Sequence, residues 1–241
     1  MRTHPAPGDS DDPIESVEPV EPSPIAHPIA HAIAEEVKPH LRGWLHAVAL
    51  PLAIAGGLAL VTSAQTVRER VGLAVFTVTA AQLLGTSAVF HRGRWSPRTA
   101  RLLNRLDHVG IFFIIAGSST AFALTVLPDP APMLLIVWSG AVVGAIAKVF
   151  WMGAPRWATT GAYLALGWVM VLYLKPLHEY GGPVILALIV LGGLLYTVGA
   201  IVYGTRRPNP SPRWFGFHEV FHAFTLLALA AHGAAAYLAI G

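Results

Sequence analysis

The chain has 241 residues, 54% of them hydrophobic and 12% charged, about half the charged fraction of an ordinary soluble domain. Its mean hydropathy is +0.58 and apolar runs of roughly 20 residues recur from position 44 to 240, which excludes a soluble globular domain and identifies a polytopic helical membrane protein. With no cysteine it has neither a disulfide framework nor a thiolate metal site. The net charge of +3 reads through membrane topology rather than as a nucleic-acid surface.

Residues 1–34 form a separate zone rich in proline and in acids such as Asp9, Asp11, Asp12 and Glu15. Such a segment buries too little apolar surface to offset its ordering entropy, so a disordered cytoplasmic tail is expected. It lacks a basic region followed by an apolar stretch, so no secretory signal peptide is expected either. A short repeat closes the zone and spaces His27, His31 and Glu35 by four residues. On a helix these share one face, and a lead-in to an interfacial helix is preferred over a metal site.

From 35 to 241 an all-α membrane domain is expected, with seven spans near 44–64, 71–91, 106–126, 132–151, 158–175, 183–203 and 214–240. The links between them are short and rich in turn formers, which implies antiparallel neighbours in one bundle. Orientation follows from lysine and arginine. With the N-terminus in the cytoplasm, the inner side receives Lys38 and Arg42, the Arg92–Arg105 cluster, Lys148, Arg156, Arg206, Arg207 and Arg213. The outer loops keep only Arg68, Arg70 and Lys175. The predicted topology is N-terminus in and C-terminus out, in the cell (inner or plasma) membrane, with membrane lipids as the expected partners and no nucleic acid.

Ionisable groups inside spans are costly, and each marks a candidate function. In this topology His91 closes the second span at the cytoplasmic face, Asp107 opens the third just inside it, and His218 and His222 open the seventh from the same side. The last two belong to His218-Glu219-Val220-Phe221-His222, the H-E-x-x-H pattern that puts two imidazoles on one helical face for zinc. Three histidines with one open position suit tetrahedral Zn2+, and zinc would lower the pKa of a bound water toward about 7. Asp107 is then a candidate general base or an orienter of a ligand imidazole. Ser87, four residues before His91, would orient the water or polarise a substrate carbonyl. Glu219 points about 100° away from His218, toward a neighbouring helix or the headgroups. His46 is read as an interfacial histidine, with a place beside the ligands as the alternative. Lys148 is expected to snorkel to the headgroups, and His108 to hydrogen-bond within the bundle. His178, in an outer loop, and His232, deep toward the outer face, are set aside.

Ser87 to His91, Arg105-Leu106-Asp107-His108, Ile115-Ala116-Gly117 and His218 to His222 occur in that order. Together they resemble the hemolysin III branch of the progestin and adiponectin receptor family over residues 35 to 241. The resemblance implies seven membrane helices with an inward N-terminus and a zinc ion near the cytoplasmic side. It assigns His91, His218 and His222 as ligands, with Asp107 and Ser87 around the bound water. It further implies a lipid substrate or ligand, with ceramide-like amide hydrolysis in eukaryotic relatives and lipid homeostasis or hemolysis in bacterial ones. Two departures stand out: Lys38 to His46 replaces the Asn and Thr-His-Gly stretch usual before the first span. Ser118-Ser119-Thr120-Ala121 replaces Thr-Tyr-Thr-Pro, which should straighten the third helix and reshape its cavity. A zinc hydrolase acting on a lipid is the leading expectation. A receptor with structural zinc, a pore-forming hemolysin and an intramembrane protease using Glu219 are the alternatives.

Overall fold

The computed structural model describes residues 39–151 and 153–240. The tail and the His27, His31 and Glu35 face lie outside the described residues. The described chain is helical, with no strand beyond one isolated bridge between Ser211 and Phe215. Helix α1 is Trp44–Ser63, α2 Val67–Arg92, α3 Pro97–Thr125, α4 Ala131–Phe150 and α5 Arg156–Gly167. A 3-10 turn, Trp168–Tyr173, leads into α6, Leu174–Thr205, and α7 is Phe217–Leu238.

Six stretches among the described residues are long and apolar enough to cross a membrane: α1 to α4, α7, and a 50-residue run over Arg156–Thr205. The last covers the expected spans at 158–175 and 183–203 in one stretch. A straight helix of 50 residues would reach about 75 Å, more than twice the roughly 30 Å hydrocarbon core. This one is not straight. Gly182 takes φ 80° and ψ 175°, a conformation open to glycine, and Pro183 follows without an N–H. So α6 is two helical pieces meeting at that residue.

Local chemistry sets the other ends. Thr66 and Glu69 form a reciprocal capping box that starts α2. At α3 the Ser96 hydroxyl accepts from the Thr99 N–H at 3.3 Å and Pro97 occupies the first turn. The third helix therefore begins well before the expected residue 106, and Arg98, Arg101 and Arg105 ride on it rather than in a loop. It then runs unbroken through Ser118-Ser119-Thr120-Ala121. At its far end Arg68 donates to the carbonyls of Ala123 and Leu127, two acceptors left open near a helix C-terminus.

The core is made of Leu73, Phe76 and Leu83 from α2, Ile114 and Phe122 from α3, Met133 from α4, Leu177, Ile185 and Ile189 from α6, and Ala235 and Ala236 from α7. Hydroxyls buried there bond back to their own helix, as Thr120 does to the Ala116 carbonyl at 2.7 Å and Thr225 to the Phe221 carbonyl at 3.0 Å. Outward positions are as apolar as inward ones: Leu52, Val78, Leu135, Val143 and Leu172 are 66–72% exposed. That inside-and-outside apolarity fits helices solvated by lipid.

Candidate metal centre

The starts of α1 and α7 and the end of α2 meet at one end of the bundle. The chain before α1 is pinned to the chain before α7, because the His40 and Leu41 N–H groups donate to the carbonyls of Arg213 and Trp214 at 3.0 and 3.2 Å. The His40 ring stacks on Trp214 at 4.5 Å. Across the same end, the Arg92 guanidinium lies 4.0 Å from the centroid of the Trp44 ring. Gly43 takes φ 80° and sits against α2, where an added Cβ would come within 2.8 Å of the His91 Cβ.

The first turn of α7 is capped twice. Glu219 Oε2 accepts the Gly216 N–H at 2.8 Å, and Asn209 Oδ1 accepts the Phe217 N–H at 3.0 Å. With that turn fixed, His218 and His222 lie one turn apart on one face, their rings edge-on at 4.5 Å, and meet His91 from α2. One ligand nitrogen from each of the three lies within 4.8 Å of the others. The Nε2 atoms of His91 and His218 are 3.2 Å apart. Two nitrogens bound to one tetrahedral zinc at about 2.0–2.1 Å stand about 3.3 Å apart, so this edge has the spacing of a shared ion. His222 is 2% exposed and its Nδ1 has no hydrogen-bond partner among the described residues. Three nitrogen donors without thiols suit zinc or a neighbouring first-row ion. The cluster could hold one metal ion.

The groups around it fall into place. Asp107 Oδ2 is 3.5 Å from His91 Nε2, with the Asp107 side chain 15% exposed. Ser87 is buried on the His91 side of α2, and its Oγ has no hydrogen-bond partner among the described residues. His46 takes the alternative place, beside the histidine cluster. It is 2% exposed and stacks on His222 with centroids 3.8 Å apart and planes 13° from parallel.

Glu219 is fully buried, and its second oxygen, Oε1, accepts from Arg42 Nε at 2.5 Å. Both of its oxygens are thus committed, one to a helix cap and one to a cation. Arg42 entered the sequence reading only as a topology charge; its partnership with Glu219 and the close seat of Gly43 carry no local motif. A Glu three residues after a helix-starting Gly216 was the available signal for the cap.

Lys148 is buried, 8% exposed, instead of snorkelling, and it shares a cavity wall with Ala154, Arg156 and Thr159. His108 Nδ1 lies 2.8 Å from the Asn104 carbonyl. His178 is exposed on α6. His232 lies inside the apolar core, its Nε2 3.2 Å from the Ile189 carbonyl.

Residues 35–233 match the family model described as Haemolysin-III related. The chain is similar to Hemolysin-3 of Bacillus cereus, 33% identical over 132 residues that cover 54% of this chain and 58% of that protein. It is also similar to the Hemolysin-3 homolog of Bacillus subtilis (strain 168), 32% identical over 159 residues covering 65% of this chain and 71% of that one. The matched region thus spans under three fifths of the Bacillus cereus relative.

Proposed function

Because the chain belongs to the hemolysin III branch of the progestin and adiponectin receptor family, we propose that it is a membrane-embedded zinc hydrolase acting on an acyl bond of a lipid amide or ester. In this reading the 50-residue run Arg156–Thr205 folds back at Gly182 as two spans, giving seven. The N-terminus then lies in the cytoplasm and the histidine end of the bundle near the cytoplasmic face.

The observation that carries the proposal is convergence: His91, His218 and His222 within 4.8 Å, Asp107 at 3.5 Å from His91, and an unpartnered Ser87 hydroxyl buried on the helix of His91. A bound zinc ion supplies Lewis acidity there, making a water nucleophilic near neutral pH and polarising a carbonyl. Asp107 accepts the proton of the attacking water and returns it to the leaving amine or alcohol. The Ser87 O–H donates to the acyl oxygen as negative charge develops on it. Glu219 stays outside the chemistry, since Arg42 and the Gly216 N–H occupy it. That arrangement disfavours the protease alternative, in which Glu219 must face the water.

The test follows fatty acid released from a short-chain ceramide by purified zinc-loaded protein, using mass spectrometry. Asp107→Asn should keep its zinc and lose about 10²–10⁴-fold in kcat, while Glu219→Gln should keep a larger share of the rate. If Glu219→Gln abolishes release and Asp107→Asn does not, the base role returns to Glu219. The second reading, a receptor with structural zinc, draws on the depth of the cluster, since His91 is 7% and His222 2% exposed. It requires that wild type and Asp107→Asn alike bind zinc and release nothing.

A further inference from the structure

Beside the histidine end, among α3, α4, α5 and α6, lies a cavity of about 170 Å³ lined by Asn104, His108, Lys148, Arg156, Thr159 and Tyr203. A single buried water needs roughly 10–15 Å³, so this space admits a polyatomic group. Its polar wall is made of donors. Lys148 and Arg156 are cations, Asn104, Thr159 and Tyr203 carry N–H or O–H groups, and no carboxylate lines it among the described residues.

Lys148 is the group that calls for a ligand. It sits in the last turn of α4 and is 8% exposed, in a span where a charged side chain is costly unless something compensates it. Among the described residues it makes no ion pair with a carboxylate, and the His108 ring on the same cavity wall offers it no negative charge. The carbonyl end of α4 offers the equivalent of about half a negative charge, which answers only part of the ammonium. On the same wall the Arg156 guanidinium lies over the Tyr203 ring, 5.7 Å from its centroid.

We infer that this cavity binds an anion of the phosphate class, either the headgroup phosphate of a lipid or free phosphate. Lys148 is the buried point charge, and Arg156 supplies a planar fork suited to two phosphate oxygens. Thr159 and Asn104 supply further donors. Two cations and two neutral donors match a dianionic tetrahedral group better than a lone carboxylate. The site is separate from the histidine cluster, although Tyr203 touches both, its ring centroid 5.8 Å from that of His218. It does not depend on the hydrolase reading.

The experiment titrates full-length, zinc-loaded protein in an uncharged maltoside detergent, by calorimetry, with inorganic phosphate, dihexanoyl phosphatidic acid and uncharged dihexanoylglycerol. Phosphatidic acid, phosphate or both should bind one to one, and dihexanoylglycerol should not compete. Lys148→Met should weaken binding at least tenfold and Arg156→Gln several-fold, while Lys148→Arg should retain most of it. Phosphate binding within about threefold of phosphatidic acid assigns the site to the free anion. Phosphate binding tenfold or more weaker assigns it to a lipid headgroup. Ligand should also raise the melting temperature of wild type and not of Lys148→Met. Should Lys148→Met not fold, Arg156→Gln at an exposed position carries the test. Absence of saturable binding by both phosphates overturns the site, as does binding that the folded charge-removing variants leave unchanged.

Discussion

Helix α7 carries buried histidines at both ends, and the two ends use them differently. His222 is stacked on His46 at 3.8 Å and faces the rings of His218 and His91 at 4.5 and 5.4 Å. His232, ten residues on, is 6% exposed. It meets a backbone carbonyl at 3.2 Å and the ring edges of Phe122 and Tyr196 at 5.2 and 5.6 Å. Burial is the same; company is not. Only where imidazoles from two helices and a carboxylate from a third converge is there a donor set for one ion. A histidine alone among aromatic rings and a carbonyl is a packed core residue.

The difference is largest in metal content. Alanine at His91, His218 or His222 should remove the ion, whereas His232→Ala should leave it. Structural zinc binding of about 10–16 kcal/mol shared over three protein ligands is roughly 3–5 kcal/mol each. That is about 10²–10⁴-fold in affinity, enough to empty the site after dialysis against a weak chelator. Zinc per chain, measured by plasma mass spectrometry, decides it. Full zinc in all three variants would break the comparison, as would loss of zinc in a folded His232→Ala.

A smaller but still substantial effect belongs to the ion pair under the metal end. Arg42 and Glu219 side chains are 8% and 1% exposed, and removing one partner of a buried pair costs about 3–5 kcal/mol. Arg42→Met should lie near the low end, about 3 kcal/mol, because Glu219 keeps the Gly216 N–H. Denaturation in mixed micelles measures it. Replacing both, Arg42→Met with Glu219→Gln, should recover part of the loss. If Arg42→Met is neutral, the pair does not brace the first turn of α7.

These residues also mark where the sequence stopped being informative. The apolar runs were legible because lipid demands length, and the histidine cluster because histidine is rare in them and H-E-x-x-H fixes a helical spacing. The meeting of His91, Asp107, His218 and His222 at one end followed from a topology read off lysines and arginines, not off these four residues. What stayed hidden depends on contacts between distant segments. Lys148 looked like a snorkelling residue because nothing local reveals the cavity it shares with Asn104, Arg156 and Tyr203. His46 looked interfacial because the ring it stacks on, that of His222, lies 176 residues away in the sequence. The count of spans blurred at Arg156–Thr205, where the polar stretch from Lys175 to Tyr180 is itself helical and a glycine φ angle marks the division.

The finest test sets one glycine near each end of the comparison. Gly43 combines φ 80° with a Cβ position 2.8 Å from the His91 Cβ and 3.1 Å from the Arg92 Cγ. Alanine there must strain the backbone by about 1–3 kcal/mol and push the end of α2. Displacing His91 should weaken zinc about tenfold, the lower range for disturbing the support of a ligand. Gly233 follows His232 within α7, and a Cβ added to it meets nothing within 4 Å. Gly233→Ala should therefore stabilise the helix by up to about 1 kcal/mol and leave zinc affinity unchanged. Competition with a fluorescent chelator reads the affinity, and thermal melting reads the stability. If Gly43→Ala melts lower yet binds zinc as wild type does, the close seat of Gly43 supports the fold without positioning His91.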